Sequence, residues 1–118
     1  MVRVARLKSE RPLLVTTQWY PSGEWADIVR SAGEGLKRWR DLRHPVVFAD
    51  FGDLGEGISG VRLARVLRGE SPDVRIYLLC DAVDAGQQVW AQANGANEVI
   101  RRKPQLIARR LSPLHGQP

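Results

Sequence analysis

The chain has 118 residues, of which 43% are hydrophobic, and it carries 18 Lys and Arg against 13 Asp and Glu, a net charge of +5. This length supports one hydrophobic core and argues against a second domain, and the apolar fraction excludes a wholly disordered chain. The single cysteine, Cys80, excludes an intramolecular disulfide framework. No uncharged apolar run reaches the roughly 18 residues of a membrane span and no secretory signal is visible, so we expect a cytoplasmic protein without membrane contact.

The first strand is predicted over residues 13–17, which follow Pro12 and have the apolar, β-branched character of a buried strand. Upstream of it, residues 1–11 are interpreted as an N-terminal arm or an edge strand. Folded proteins usually cover an open sheet edge, because its unpaired backbone groups promote aggregation. If residues 22–42 form a single helix, as preferred below, the first strand lies at an open edge of the sheet, and we then expect this arm or a second subunit to pair with it.

Residues 22–42 allow two interpretations. One is a single helix capped by Ser22, with an apolar stripe at helical spacing. The stripe comprises Trp25, Ile28, Val29, Ala32, Leu36 and Trp39. The other is a strand over residues 25–30 followed by a helix, which is favoured by the cost of about 1 kcal/mol for each of Gly33 and Gly35 in a helix interior. The link to the first strand is judged too short for a parallel crossover, so the single helix is preferred.

From residue 45 onward, strands and helices alternate with short links. Strands are predicted over residues 45–49, 74–79 and 97–100, helices over residues 61–69, 83–93 and 104–111, and a loose tail over residues 112–118. This alternation predicts an α/β sandwich of three layers, with a mainly parallel sheet and helices on both faces. The two histidines, His44 and His115, have no acidic residue at a useful spacing, so no catalytic or metal-binding arrangement is predicted around them.

Four segments follow one another in a characteristic order: residues 46–50 (VVFAD), 59–68 (SGVRLARVLR), 71–80 (SPDVRIYLLC) and 93–104 (ANGANEVIRRKP). Together they resemble the receiver domain of two-component response regulators, over more than half of the chain. The resemblance implies a flavodoxin-like receiver fold, shortened in its first half because the single-helix interpretation removes the second strand and its helix. It also implies a role in bacterial signalling or regulation.

In receivers, a phosphoryl group is transferred to an aspartate that ends the third strand, and the resemblance places Asp50 there. It places Lys103 and Cys80 at the positions of the lysine and the hydroxyl residue that contact the phosphoryl group. Receivers hold Mg²⁺ with an acidic pair that closes the first strand, but this chain has Thr16 and Thr17. Hydroxyls do not replace two carboxylates as Mg²⁺ ligands. We therefore expect an atypical, degenerate receiver in which Asp50 is a remnant, with no catalytic residue, metal or cofactor.

The resemblance also implies an interaction surface, since receivers contact partners through their fourth helix, fifth strand and fifth helix. Here that surface is expected to contain one aromatic anchor surrounded by polar and basic residues, namely Trp90, Gln87, Arg101, Arg102 and Arg109. Aromatic and arginine residues are enriched in protein interfaces. The favoured function is therefore a phosphorylation-independent interaction module that binds a protein partner or itself, with a homodimer as the expected form, and that is not an enzyme.

Two alternatives remain open from the sequence. The first is a true phosphoacceptor in which Asp50, Asp53 and Glu56 supply oxygens to Mg²⁺. Asp53 and Glu56 lie in a Gly-rich loop, residues 51–58, and we expect this loop to be flexible. The second is a nucleic-acid-binding module that uses the basic residues of the C-terminal part. It is not favoured, because no recognition helix or base-stacking platform is visible.

Overall fold

The computed structural model describes residues 11–18 and 25–116. The strands are β1 (Leu13–Val15), β2 (Asp27–Val29), β3 (Val46–Asp50), β4 (Arg75–Cys80) and β5 (Glu98–Arg101). The helices are α1 (Ala32–Leu42), α2 (Gly60–Glu70), α3 (Ala85–Ala93) and α4 (Pro104–Gly116). All five strands are parallel and form one sheet in the order β2-β1-β3-β4-β5.

Each face of the sheet is covered by its own apolar cluster. Helices α1, α2 and α3 pack on one face, where Trp39, Leu67 and Ala91 are buried, and α4 packs on the other through Ile107. The N-terminal ends of α1, α2 and α3 are capped by Ser31, Ser59 and Asp84, whose side chains accept hydrogen bonds from backbone N–H groups of the first turn. The predicted three-layer α/β sandwich is confirmed.

The prediction of a single helix over residues 22–42 is wrong. The segment contains β2 and then α1, which begins after Ser31 and not after Ser22. Ile28 and Val29 are adjacent in an extended strand and therefore point to opposite faces of the sheet. The apolar residues 25–39 thus serve two faces rather than one helical stripe. A helical period arose because a short strand and a helix follow one another directly.

The predicted open edge at β1 is also not found. β1 pairs with β2 on one side and β3 on the other, so the link over residues 16–26 does suffice for a parallel crossover, and neither the N-terminal arm nor a second subunit is needed there. Residues 1–10 lie outside the described part of the chain. Residues 19–24 of the link lie outside the described part of the chain as well. Within the link, Trp25 packs edge-on against Phe48, with ring centroids 6.2 Å apart.

The edge of the sheet formed by β5 is covered by a side chain of α3. On α3, the amide of Gln88 donates to the Val99 carbonyl at 2.7 Å and accepts from the Val99 N–H at 2.9 Å. This pair of hydrogen bonds takes the place of a neighbouring strand on β5.

The last helix, α4, continues to Gly116, beyond the predicted end at residue 111, so part of the predicted loose tail is helical. Within the described residues, no helix has both the length and the hydropathy to cross a membrane.

His44 is buried at the amino end of β3. The sequence spacing suggested that it is isolated from acidic residues, but the structure places it beside one. Its Nε2 lies 2.7 Å from Oδ2 of Asp27 on β2, and Asp27 also pairs with Arg11. The His44 Nδ1 atom has no hydrogen-bond partner among the described residues. Burial lowers the pKa of His44 below its usual value, although the Asp27 hydrogen bond acts in the opposite direction. Neutral His44, with its proton on Nε2, is therefore the form that this site accommodates.

Acidification should destabilise the protein through His44. The unfolded chain takes up a proton near pH 6.5, whereas the folded site resists it, because a buried Nδ1–H would lack an acceptor. The free energy of unfolding should therefore be highest above about pH 6.5 and should decrease by about 1–2 kcal/mol as the pH falls, until the folded protein is also protonated. Urea unfolding at pH 7.5, 6 and 5 measures this decrease.

His44→Asn should abolish most of the decrease in the free energy of unfolding between pH 7.5 and 5, whereas the control His115→Gln should retain this decrease. A second loss is expected as the pH falls below the pKa of an aspartate in the unfolded chain, about 3.9, because the pKa of Asp27 is lowered in the folded protein. Burial raises the pKa of Asp27, but its hydrogen bonds to His44 and Arg11 together lower the pKa by a larger amount, so the net shift is downward. A free energy of unfolding that does not change between pH 7.5 and 5 would contradict this interpretation of His44.

Candidate functional site

A polar crevice lies at the carboxyl end of the sheet, beside β1 and β3. The strand order changes direction between these two strands, and such switch points are where open α/β sheets bind ligands. Asp50 ends β3 there and is 5% exposed. The first residue of α2, Gly60, lies against the main chain of Asp50 so closely that a Cβ atom would be 1.7 Å from the Asp50 carbonyl oxygen. Glycine at this position therefore lets α2 begin beside the crevice.

One oxygen of the Asp50 carboxylate is held by the residues that follow β1. The Thr16 hydroxyl donates to Oδ2 at 2.8 Å, and the Thr17 backbone N–H donates to the same oxygen at 3.1 Å. Thr16 is fully buried, and its hydroxyl accepts a hydrogen bond from the Gln18 N–H at 3.0 Å. The two threonines thus act as hydrogen-bond donors to Asp50, where the family's acidic pair would act as metal ligands.

The other oxygen, Oδ1, pairs with the guanidinium of Arg102. Arg102 follows β5, and its backbone N–H donates to the Cys80 carbonyl at 2.9 Å, which holds it beside the end of β4. From there its side chain crosses β4 to Asp50, and its Nε lies 3.3 Å from Oδ1 of the exposed Asp81. The side chains of Arg102 and Asp50 are only 14% and 7% exposed. The crevice is therefore closed by an ion pair within the protein.

The two other predicted remnant residues do not reach the carboxylate of Asp50 in any described contact. Lys103 is exposed, and the cation on Asp50 is its neighbour, Arg102. Cys80 lies at the end of β4 and is 9% exposed. Burial raises the pKa of the Cys80 thiol, although the nearby Arg102 acts in the opposite direction. The thiol is therefore protonated at neutral pH and unreactive as a nucleophile.

The donor set does not fit Mg²⁺, the cation that the resemblance implies. Mg²⁺ needs anionic oxygens in octahedral geometry, whereas the groups around Asp50 are a guanidinium, a hydroxyl that donates and a backbone N–H. In the described part of the chain, no three His, Cys, Asp or Glu residues converge to hold a metal ion. The predicted alternative set of Asp50, Asp53 and Glu56 therefore does not form a cluster.

The loop after Asp50 is anchored, whereas a flexible loop was predicted. Leu54 is fully buried, its backbone N–H donates to the Ile58 carbonyl at 2.7 Å, and Asp53 forms a bridge with Ser59. The turn between them has positive φ at Gly55, Glu56 and Gly57. The Leu54 carbonyl accepts from the Ala32 N–H at 3.4 Å, which ties the loop to α1. This rim carries Asp53 and Glu56 on its exposed side.

Solved structures share this architecture. The signal receiver domain of a DNA-binding response regulator from Colwellia psychrerythraea matches with a TM-score of 0.73 at 12% identity, over 92% of this chain and 100% of that one. The beryllofluoride-activated NtrC4 receiver domain dimer matches with a TM-score of 0.69 at 20% identity, over 89% of this chain and 93% of that one. The chain has the fold of a response-regulator receiver domain.

NtrX from Brucella abortus, a longer chain, contains the same receiver fold. It matches with a TM-score of 0.69 at 18% identity, and the match covers 86% of this chain but 26% of NtrX. No protein-family model matches the sequence, and no curated protein matches it. The fold predicted from the resemblance is thus confirmed by the structural comparison.

The five residues predicted to form the interaction surface of the receiver fold lie on α3, at and directly after the end of β5, and on α4. Arg101 and Arg109 are exposed near β5 and α4. Gln87 accepts from the Asp84 N–H in the capping box of α3, and Arg102 faces Asp50. Trp90, which is 57% exposed, lines a groove between α3 and α2, away from the Gln88 side of α3 that contacts β5. Their role as one interaction surface stays a prediction.

Sequence reasoning missed the role of Arg102, which it assigned to the interaction surface. One signal in the sequence was available. The receiver lysine that contacts the phosphoryl group also follows the fifth strand, and Lys103 lies about one residue later than that position. Arg102 directly follows β5, so the register of the strand pair, Cys80 with Arg101, brings it to the crevice. The longer guanidinium side chain spans the distance to Asp50 and can pair with two carboxylates.

Proposed function

We propose that this domain is a receiver-like protein-interaction module in bacterial signalling or regulation that works without phosphorylation of Asp50. It acts by binding, with no catalytic residue or cofactor assigned to it. The observation that carries the proposal is the closure of the Asp50 carboxylate, whose two oxygens are bound by Arg102 on one side and by Thr16 and Thr17 on the other.

Phosphoryl transfer to a carboxylate requires an oxygen that can attack phosphorus and a cation that neutralises the phosphoryl oxygens. Arg102 supplies a positive charge, but it does so by covering Oδ1. Opening the crevice to a phosphodonor would break a charge-assisted hydrogen bond in a site of low exposure. These features support a crevice in which Asp50 is retained but does not accept a phosphoryl group. Signalling would then depend on contacts made by the surface of the domain.

The partner is proposed to be a protein, or a second copy of the chain in a homodimer. The solved NtrC4 receiver is a dimer, which is a fact about that protein and a precedent for the fold. Binding to nucleic acid receives less support. Within the basic C-terminal part, Arg102 pairs with Asp50 and Arg110 pairs with Glu98, which reduces the charge available to phosphate groups.

Acetyl phosphate and beryllofluoride, each with Mg²⁺, should leave the protein unchanged. We expect no phosphoryl adduct in the intact mass and no chemical-shift changes around Asp50 in a ¹H–¹⁵N spectrum, because the carboxylate is already paired. A receiver domain that contains the acidic pair serves as the positive control. The proposal fails if the protein gains one phosphoryl group and Asp50→Asn removes it, since Asp50 would then be a working phosphoacceptor.

A further inference from the structure

The groove between α2 and α3 combines exposed apolar and cationic side chains. It is open to solvent and has a volume of about 870 Å³, and its lining includes Arg62, Arg65, Val66, Gly69, Trp90 and Asn94. Arg62, Arg65, Val66 and Gly69 follow one another at helical spacing on α2 and form one wall. Trp90 and Asn94 lie on α3, one turn apart, and form the other. We call this site the α2–α3 groove.

The exposed apolar residues of the described chain concentrate at this groove. The large hydrophobic side chains with substantial exposure are Val66 at 38%, Val89 at 67% and Trp90 at 57%. Val66 and Trp90 line the groove, and Val89 directly precedes Trp90 on α3. Large apolar side chains gathered at one place on a surface typically mark a site of protein interaction, and Trp is enriched among residues that dominate binding energy.

The charge of the groove is positive and is not required by the fold. Arg62 and Arg65 are exposed, and their guanidinium groups form no ion pair with any residue in the described ranges. Glu70, at the far end of the groove, is paired with Arg40. Arg62 also lies in the first turn of α2, which contains no acidic residue, so its charge opposes the helix dipole. A cation in that position costs local stability, which favours a role in recognition.

We infer that the α2–α3 groove binds an acidic amphipathic helix of a partner protein. Its apolar side chains would pack on Trp90 and Val66, and its carboxylates would pair with Arg62 and Arg65. This inference rests on the proposed function as an interaction module. Because the chain has a net charge of +5 and the groove is itself positive, two copies repel one another there, and the occupant is a different, acidic protein.

Two synthetic helical peptides test the charge and the apolar anchor separately. Both carry the same leucine stripe, and their remaining positions are glutamate in one and lysine in the other. In ¹H–¹⁵N titrations of the full chain, the glutamate peptide should shift the Trp90 indole and the amides of residues 61–69, and its affinity should decrease with added salt. The lysine peptide should bind at least about tenfold more weakly, because it meets Arg62 and Arg65 with like charge.

Three variants locate the site. Arg62→Glu/Arg65→Glu should weaken the glutamate peptide by about tenfold or more and strengthen the lysine peptide, a reversal that loss of structure would not produce. This variant should fold, because Glu at position 62 is in register with Ser59 for a capping box. Trp90→Ala should weaken both peptides by about 30-fold. The matched control, Arg101→Glu/Arg109→Glu, reverses two exposed charges elsewhere and should change neither affinity by more than about twofold.

Any one of three results would overturn the inference. One is equal binding of the two peptides, with no reversal in the Arg62/Arg65 variant. Another is loss of binding in the Arg101/Arg109 variant alone, which would place the interaction near β5 and α4. Concentration-dependent self-association by analytical ultracentrifugation that Trp90→Ala removes would also overturn it, in favour of a second copy. None of these readouts involves Asp50, so they are separate from the acetyl phosphate test of the proposed function.

Discussion

Replacing Gly60 by alanine should lower the free energy of unfolding by about 3 kcal/mol or more, and the melting temperature by about 10 °C. A Cβ at this position would lie 1.7 Å from the Asp50 carbonyl oxygen and 2.8 Å from its carbon. Both atoms belong to the main chain of a buried strand, so relief requires α2 to move away from the end of β3. Chemical denaturation followed by circular dichroism measures the loss.

Gly33 provides the matched control for this substitution. It lies in the first turn of α1, and a Cβ added there would meet no atom within 4 Å. Gly33→Ala should therefore leave the stability unchanged or raise it by about 0.5 kcal/mol, since alanine has the higher helix propensity. Equal losses in the two variants would show that glycine is needed for general helix reasons and not for the contact between α2 and Asp50.

Removing the charge of Arg102 should have the second-largest effect. Arg102→Met keeps most of the aliphatic stem and leaves the Asp50 carboxylate with hydrogen bonds from Thr16 and Thr17 but without a counter-ion. Because Asp50 and Arg102 are both largely buried, we expect a loss of about 2–3 kcal/mol in the free energy of unfolding. Urea denaturation at pH 7.5 and low salt is the measurement.

The double variant separates the loss of the pair from the cost of an unpaired charge. Asp50→Asn combined with Arg102→Met should be more stable than Arg102→Met alone, because no buried charge then lacks a partner. Arg101→Met, which changes an exposed neighbour, should stay within about 0.5 kcal/mol of the parent protein. If Arg102→Met is as stable as Arg101→Met, the ion pair does not close the crevice in solution.

Most of the sheet could be predicted from local patterns. β1, β3, β4 and β5 each combine an apolar run with flanking turn residues, and the predicted strands overlap all four. β2 could not be recognised in this way. It has three residues, is followed almost at once by α1, and shares apolar residues with that helix at helical spacing. Its position as the edge strand depends on pairing with β1, a contact that local periodicity does not report.

The candidate site was predicted in part. The resemblance located Asp50 correctly at the end of β3, because a strand end can be read from the sequence, and it noted the threonines in place of the acidic pair. It did not predict that Thr16 and Arg102 bind Asp50 from both sides. These residues are 34 and 52 positions from Asp50. Their meeting depends on strand order and register, which no spacing along the chain reveals.

By itself, the sequence determined the alternation of strands and helices, the parallel sheet and the likeness to receivers. These follow from burial and backbone preference, which act on neighbouring residues and leave a periodic pattern. The tertiary structure alone decided three other features: the edge strand β2, the cation that pairs with Asp50, and the groove that Trp90 lines. Each of them is a contact between distant segments, and its energy arises only after the chain has brought those segments together.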